Sequence, residues 1–284
     1  MRTLHVFLVW PTLVLLAGCL ESPFGDNDIT GGTQAINGSV ALNNGASAKD
    51  AFVWLDTFNA GTRADANGAF RLILPPAAGQ PGGGISGAFD LYFYMANCRL
   101  NTANVTTRNG VFVYDAADLN KNGALRAKIV LSPFLGITTQ LSPARVAQSD
   151  TAEAIDLRVT LQTLIGDTAT VIFPQSVIGT LGAVIFKSTN TGATTVFQRV
   201  AGGSAREVII VGRTPVVRGF TFRLREVTPR LAPGTYEVVP YLLIAHENIP
   251  SLLLQTLGPT TSSLGPDYLK MPFVREGGRF EITD

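Results

Sequence analysis

Side chains that could carry out chemistry are few in this 284-residue sequence. It has two cysteines, Cys19 and Cys98, and two histidines, His5 and His246. A zinc motif such as H-E-x-x-H needs two histidines in the folded protein, and His5 lies in an apolar N-terminal run. No G-x-S-x-G stretch accompanies His246, so we expect it in a loop rather than as a catalytic base. The sequence predicts no catalytic site and no cofactor, although a hydrolase built on two carboxylates stays open.

The segment Asp118-Leu-Asn-Lys-Asn-Gly123 has the beginning of a calcium-binding pattern. Oxygen-bearing side chains at its first, third and fifth positions and a glycine at the sixth suit a loop that wraps Ca²⁺. Two asparagines supply little negative charge, and the twelfth position is Ile129 instead of glutamate. We therefore predict a hairpin loop between Val111–Tyr114 and Leu125–Leu131 without a metal, with a calcium site as the alternative.

Two other features are interpreted as structural. The glycine-rich run Gly79–Gly87 lacks the helix that a phosphate-binding loop needs behind it, so it is predicted to connect two strands. Arg223 and Arg225 alternate with Leu224, which predicts a solvated strand face; an acidic glycan or protein bound to this face is the alternative. The arginines near this face are Arg213, Arg218, Arg223, Arg225 and Arg230.

Aromatic side chains and Cys98 are predicted to lie in the core. Trp54 is flanked by apolar residues in a strand-like run, and Tyr92–Tyr94 belongs to a second such run that ends at Cys98. A buried cysteine behaves as a small hydrophobic residue. The alternatives are a sugar-binding aromatic surface and a reactive thiol.

The N-terminus has the organisation of an export signal. Arg2 precedes an apolar run, Leu4–Leu16, and the small residues Ala17-Gly18 follow. An ordinary signal peptide and a membrane span are the alternatives. A span needs about 20 apolar residues, and this run is shorter and interrupted by Pro11.

The stretch Leu16-Ala-Gly-Cys19 resembles the lipobox of bacterial lipoproteins. The resemblance implies that residues 1–18 are removed, that the Cys19 thiol is diacylated (a palmitate-type modification), and that 19–33 is a polar tether to a bacterial membrane. Several acyl chains hold a domain stably on a bilayer. Leu20 is not the aspartate that resembles an inner-membrane retention signal, so we expect a lipid-anchored protein of the outer membrane in the cell envelope.

Charge excludes one class of partner. The chain has 22 basic and 21 acidic residues, and loss of Arg2 with the signal peptide leaves a net charge of zero. Nucleic-acid-binding proteins need an excess of basic residues, so no nucleic-acid partner is predicted. The low share of charged residues, 15%, together with 29 glycines, favours strands and turns over surface helices.

Residues 34–134 are predicted to form strands separated by tight turns. Asn-Gly, which favours hairpin turns, occurs at 37–38, 44–45, 67–68, 109–110 and 122–123. The apolar runs between them are Ala51–Leu55, Ala69–Leu74, Phe89–Tyr94, Gly110–Tyr114 and Leu125–Leu131.

This half resembles the carboxypeptidase regulatory-like family. The matching segments are Ile36-Asn-Gly-Ser-Val40 as an opening strand, Ala51–Leu55, and Asp65-Ala-Asn-Gly-Ala-Phe-Arg-Leu72 before Leu74-Pro75. The resemblance implies a transthyretin-like β-sandwich in which Phe70 enters the core. Such a domain accompanies metallocarboxypeptidases and is not their catalytic part.

Residues 135–284 are predicted as a second, Ig-like β-sandwich, so the fold class is all-β with two sandwiches in series. Apolar and polar residues alternate in Ile155–Gln162 and in Phe220–Leu224, which predicts a strand in each. A turn is predicted at Leu231-Ala-Pro-Gly-Thr-Tyr236, with Tyr236 at the start of the next strand. The order of features is similar to the bacterial intracellular proteinase-inhibitor domain. In the tail, Ser251–Leu257 suits a short helix or a strand, and Arg279–Thr283 a closing strand.

Together these features predict a non-catalytic envelope lipoprotein. Binding, adhesion or scaffolding is the expected role, with the membrane as one partner through Cys19 and a protein or glycan as a second. The alternative is a protease-inhibitor-like module carried by the second half. A concave site with converging carboxylates would favour an enzyme, a protruding rigid loop an inhibitor, and a flat sheet face a binding module.

Overall fold

The computed structural model describes residues 34–284 except 167, 177–178, 200–204 and 247. The predicted signal peptide (1–18), Cys19 and the tether (19–33) lie outside the described residues. Within them the chain forms twenty strands and one α-helix, so the all-β prediction is confirmed. The described part of the chain contains no helix long and apolar enough to cross a bilayer.

The first half contains two sheets with one core between them. One sheet has the order β4-β1-β8 and the other β3-β2-β5-β6-β7. The inward side chains of both sheets form a cluster that runs from Ile36 to Leu131 and includes Phe70, Leu72 and Phe93. The strands are β1 (Ala35–Leu42), β2 (Phe52–Leu55), β3 (Ala60–Arg63), β4 (Ala69–Ile73), β5 (Gly87–Tyr94), β6 (Asn101–Arg108), β7 (Val111–Phe112) and β8 (Ile129–Leu131).

The Asn-Gly dipeptides do not all form turns. Asn109 and Gly110 have φ angles of 50° and 75° and connect β6 to β7, as the hairpin prediction requires. At 37–38 the turn prediction is wrong, because this dipeptide lies inside β1. A Cβ on Gly38 would come within 2.7 Å of the Phe70 ring. The glycine at this position therefore makes room for a core aromatic, in agreement with the strand that the family resemblance implied.

The second half also encloses a core. Sheets of order β16-β11-β9-β19 and β10-β20-β17-β13-β14 surround it, together with a smaller sheet of order β15-β12-β18. The strands are β9 (Leu135–Ser142), β10 (Arg145–Ala147), β11 (Ile155–Thr163), β12 (Ala169–Pro174), β13 (Ala183–Ser188), β14 (Thr194–Gln198), β15 (Arg206–Val211), β16 (Val216–Phe222), β17 (Gly234–Pro240), β18 (Leu243–Ile244), β19 (Glu276–Gly277) and β20 (Arg279–Thr283).

Several predicted details of this half are confirmed. Ile155, Leu157 and Val159 of β11 are buried while Asp156 and Arg158 between them are exposed, as the alternation predicts. The Tyr236 hydroxyl donates to the carbonyl oxygen of Ala232 at 2.6 Å, which fixes the turn before β17. The closing strand is β20.

One strand prediction needs correction. Strand β16 ends at Phe222, so Arg223 and Arg225 do not lie on a strand face. Leu224–Glu226 forms a 3₁₀ turn, and the Glu226 carboxylate accepts a hydrogen bond from the Arg223 backbone amide at 3.1 Å. That cap satisfies an amide that a continuing strand would have paired, and it ends the strand two residues early.

The segment 249–275, here called the strap, lies between the two halves. It contains the helix α1 (Ser251–Leu257) and a 3₁₀ turn at Pro266–Lys270, so the short-helix alternative is the correct one for 251–257. The residues from Gln34 to Asp284 form one compact unit. The predicted boundary at 134/135 falls between the two cores, but the strap belongs to the second half in sequence and packs on the first.

Candidate functional site

The strap covers an aromatic face of the first half. Val53 and Leu55 of β2 point into the first core, whereas Phe52 and Trp54 point away from it and pack with Leu253 of α1. Trp54 and Leu253 are both fully buried. Asn59 adds a polar connection, since its side-chain oxygen accepts from Trp54 Nε1 at 3.3 Å and from the Thr256 hydroxyl at 2.5 Å. The aromatic residues proposed as a sugar-binding surface are thus largely covered by the protein itself.

The strap covers a second face on the other half. Ala183 and Ile185 of β13 form a separate cluster with Val239, Tyr241 and the strap residue Tyr268. The fully buried Tyr268 hydroxyl lies 2.8 Å from the carbonyl oxygen of Leu242 and accepts from the Leu242 amide at 3.2 Å. These bonds fix the strap to the chain that leaves β17.

The sequence indicates that β2 and β13 are each covered on both faces. Phe52-Val-Trp-Leu55 and Ala183-Val-Ile-Phe186 are continuous apolar runs, and all eight residues are buried. A strand with one solvent-exposed face alternates apolar and polar residues, whereas a strand that is covered on both faces is apolar throughout. What covers the second face cannot be read from the run itself.

A cleft of about 590 Å³ lies where the strap meets both halves. Its charged lining comes from loops and strands far apart in sequence, and cations outnumber carboxylates five to two. We call it the basic cleft. Its charged residues are Lys49, Asp50, Arg63, Lys187, Glu237, Lys270 and Arg275.

Arg275 is held rigidly at the basic cleft. Its guanidinium stacks on the Phe273 ring, 4.1 Å from the ring centroid, and Nη2 donates to the Tyr268 hydroxyl at 3.4 Å. Its Nε atom is buried and has no hydrogen-bond partner among the described residues. A stacked guanidinium loses little side-chain entropy when it binds an anion, and its fork of N–H groups matches a carboxylate or phosphate.

Arg63 approaches the basic cleft from the first half. It donates to the backbone carbonyls of Asp50, at 3.3 Å, and Lys270. Those acceptors are neutral, and within the described part of the chain no carboxylate lies within ion-pair distance of Arg63 or Arg275. Two other cations of the cleft have acidic neighbours: Lys187 lies 3.9 Å from Glu237 and Lys270 lies 2.7 Å from Asp267. The cleft keeps a positive excess that a bound anion would neutralise.

Two arginines of the predicted basic run pair with carboxylates. Arg218 forms a two-point ion pair with Glu207, with N–O distances of 2.7 and 3.1 Å, and both side chains are largely buried. The Arg218 hydrogen bonds lower the pKa of Glu207, which is opposed by partial burial of the carboxyl. Arg223 pairs with Glu226 at 3.2 Å.

The Asp118 loop connects β7 to β8, which lie in different sheets, so the predicted hairpin between 111–114 and 125–131 is wrong. The side-chain oxygens of the loop bind backbone amides. Leu119 and Leu125 form an antiparallel bridge. Asp118 Oδ2 accepts from the Asn104 amide at 2.7 Å, and Asn120 Oδ1 accepts from the amides of Asn122 and Ala124. Across the described residues no group of three or more His, Cys, Asp or Glu side chains is placed to hold a metal ion.

The remaining chemical candidates take structural positions. Cys98 is buried, and burial raises the pKa of its thiol to about 12. Gly79–Gly87 connects β4 to β5, where the buried Gln80 donates to the carbonyls of Pro75 and Gly110 at 2.6 and 2.8 Å. His246 lies in the loop after β18, as expected, but its ring packs edge-on against Tyr94 and Phe134.

Comparison with known proteins assigns no family. No family model matches the sequence, and no curated protein matches it. An alkylpurine DNA glycosylase of Pseudomonas fluorescens, solved bound to DNA containing an abasic site analogue, is 16% identical over 53% of this chain and 31% of that chain, with a TM-score of 0.27. A mutant shaft pilin of Lactobacillus rhamnosus GG is 11% identical over 78% of this chain and 89% of that chain, with a TM-score of 0.25. Both likenesses are too low to assign a family or transfer a function.

Proposed function

We propose that this protein is a non-catalytic binding module of the bacterial cell envelope that binds an acidic ligand in the basic cleft. The observation that carries the proposal is Arg275, whose guanidinium stacks on Phe273 at a cleft with excess positive charge. Its buried Nε has no hydrogen-bond partner in the part of the chain that the structure describes. The ligand is a protein or glycan segment that presents a carboxylate or phosphate group. The protein needs no cofactor for this role.

Three sides of the basic cleft come from separate parts of the fold, and this favours binding of a group over a flat surface contact. Lys49 and Arg63 belong to the first half, Lys187 to β13, and Lys270 and Arg275 to the strap. Cations that converge from several elements raise the local potential more than the same charges spread over a surface. The strap contacts both halves, so it holds these cations at fixed separations.

A paired binding array tests the ligand class. Acidic glycans and peptides are spotted next to neutral counterparts, and the full-length protein is compared with Lys49→Gln/Lys187→Gln, whose replaced side chains are exposed. We expect retention on acidic spots only, weakened about tenfold or more in the double variant because two charge contacts are lost.

The charge-matched control is Lys121→Gln/Lys128→Gln, which removes two exposed lysines away from the cleft. It should bind like the unmodified protein. Equal binding to acidic and neutral spots, or equal weakening by both double variants, would contradict the proposal.

The anchor is the second part of the proposal. The lipobox resemblance at Leu16-Ala-Gly-Cys19 supports cleavage before Cys19 and acylation of its thiol. Mass spectrometry of the mature N-terminus should show a diacylated Cys19, and Cys19→Ser should retain the uncleaved signal peptide. Membrane fractionation should place the protein in the outer membrane. An unacylated N-terminus in the unmodified protein would refute the anchor.

The protease-inhibitor alternative for residues 135–284 has its own test. Inhibition of a serine protease at stoichiometric amounts, unaffected by Lys49→Gln/Lys187→Gln, would favour that alternative over the basic cleft.

A further inference from the structure

Asn97 lies in the connection between β5 and β6, and its side chain is buried. A buried side-chain amide costs free energy unless its donors and its acceptor find partners. The partners of Asn97 are backbone groups of the second half and of the strap. Its Nδ2 group donates to the carbonyl oxygens of Leu135 and Val274, both at 2.8 Å. Its Oδ1 atom accepts from the Val274 amide at 2.9 Å.

The two bonds to Val274 fix the strap backbone at one point. They use the amide and the carbonyl of the same residue, as a paired residue does in an antiparallel sheet. The adjacent Ala96 amide donates to the carbonyl oxygen of Pro272 at 2.7 Å, so the contact extends along the strap. The third bond of Asn97 reaches Leu135, the first residue of β9. Three backbone segments that are distant in sequence therefore meet at this side chain.

Val274 lies between the two residues whose side chains stack at the basic cleft. The Arg275 guanidinium lies over the Phe273 ring, and its Nη2 atom donates to the Tyr268 hydroxyl. A shift of the Val274 backbone would displace both stacked residues, because each is joined to Val274 by one peptide bond. Asn97 does not line the basic cleft, so it acts on a ligand there through the strap.

We propose that Asn97 is a positioning residue for the basic cleft, which holds the Val274 backbone so that the Arg275 guanidinium is in place before an anion binds. This role rests on the proposed function, because Asn97 serves the same cleft. A side chain that is already ordered loses less conformational entropy on binding, and this preorganisation raises affinity. Asn97 contributes neither a charge nor a contact to the ligand.

The first readout needs no ligand. In a ¹H–¹⁵N spectrum of the arginine Nε–Hε groups, the Arg275 signal is identified by its absence in Arg275→Lys. Because the guanidinium lies over the Phe273 ring, the ring current should shift the Arg275 Hε signal upfield in the unmodified protein. Asn97→Ala removes all three bonds and should move this signal toward that of exposed arginines.

Asn120→Ala is the matched control, because it also removes an asparagine side chain that binds backbone. Asn120 Oδ1 accepts from the amides of Asn122 and Ala124 at 2.9 and 3.0 Å, and none of these residues lines the basic cleft. This variant loses local hydrogen bonds without touching the strap, so the Arg275 signal should stay in place. Equal movement of the signal in both variants would show a general loss of stability and would overturn the positioning role.

Asn97→Asp covers the case in which Asn97→Ala does not fold. Aspartate keeps the acceptor for the Val274 amide and loses both donors, so the Arg275 signal should move in the same direction by a smaller amount. An unmoved signal in a folded Asn97 variant would overturn the role, and so would an Arg275 signal without the upfield shift in the unmodified protein.

The second readout is affinity for hexaglutamate, measured by calorimetric titration of the full-length protein. Asn97→Ala should bind this acidic peptide about two- to tenfold more weakly, which corresponds to ordering one long side chain on binding. Asn120→Ala should bind it like the unmodified protein. Unchanged affinity in Asn97→Ala would overturn the role of Asn97 and leave the proposed function standing. Failure of the unmodified protein to bind hexaglutamate or any acidic spot of the array would instead contradict the proposed function itself.

Discussion

Leu253→Ala tests whether the strap is held to the first half by the packing of α1. Leu253 is fully buried, with 0% of its surface exposed to solvent, and it packs with Phe52 and Trp54. Removal of a buried leucine side chain costs about 2–5 kcal/mol, and the loss is larger when the neighbours cannot collapse. The neighbours here are strand residues fixed in β2, so we expect about 3 kcal/mol.

The adjacent residue provides a matched control. Leu252 lies on the same helix but is 53% exposed, so Leu252→Ala should change the unfolding free energy by less than about 0.5 kcal/mol. Both substitutions alter helix propensity equally, and the difference between them therefore measures burial.

Denaturant unfolding followed by tryptophan fluorescence is the assay. The chain has two tryptophans, and Trp10→Phe leaves Trp54, which is buried under α1. In Leu253→Ala the fluorescence of Trp54 should change at lower denaturant than in Leu252→Ala. Coincident transitions for the two variants would refute the packing described for the strap.

Three further predictions concern the first core, the Asp118 loop and the ion pair of Glu207 with Arg218. Phe70→Ala should lower the unfolding free energy by about 3–5 kcal/mol, because Phe70 is buried in the first core; calorimetric or denaturant unfolding checks this. EDTA and added calcium should leave the melting temperature unchanged, because Asp118 and its neighbours bind backbone amides; a calcium-dependent rise that Asp118→Ala abolishes would contradict the metal-free interpretation of this loop. Since pairing with Arg218 lowers the pKa of Glu207, its stabilisation is present above the unfolded carboxyl pKa of about 4.3 and is lost as pH falls through the lower folded value. Glu207→Gln should therefore flatten the loss of stability that begins as pH falls below about 4.3, and an identical pH profile would be evidence against the ion pair.

Local patterns in the sequence were enough to predict most of the strands. The alternation in Ile155–Gln162 and the apolar run at Phe52–Leu55 both correspond to strands. Strand β6 (Asn101–Arg108) was not predicted, because its buried residues, Ala103, Val105 and Thr107, include only one aliphatic side chain larger than alanine. The strand therefore shows no clear apolar alternation. The arginine alternation at 223–225 was misleading, since the Glu226 cap ends the strand before it.

The basic cleft could not be predicted from sequence spacing. Its cations lie between positions 49 and 275 and come together only when the strap packs on both halves. The sequence drew attention to the arginines from 213 to 230, but Arg218 and Arg223 are paired there with acidic neighbours. Which charges remain unpaired is decided by tertiary contacts, and no local pattern encodes them.

A crystal structure of the protein with the acidic probe that binds most tightly in the array is the most direct test of the proposed function. It should place a carboxylate or phosphate oxygen about 2.7–2.9 Å from a guanidinium nitrogen of Arg275, inside the cleft lined by Lys49 and Lys187. A probe bound on any other surface, with Arg275 still unoccupied, would contradict the proposal.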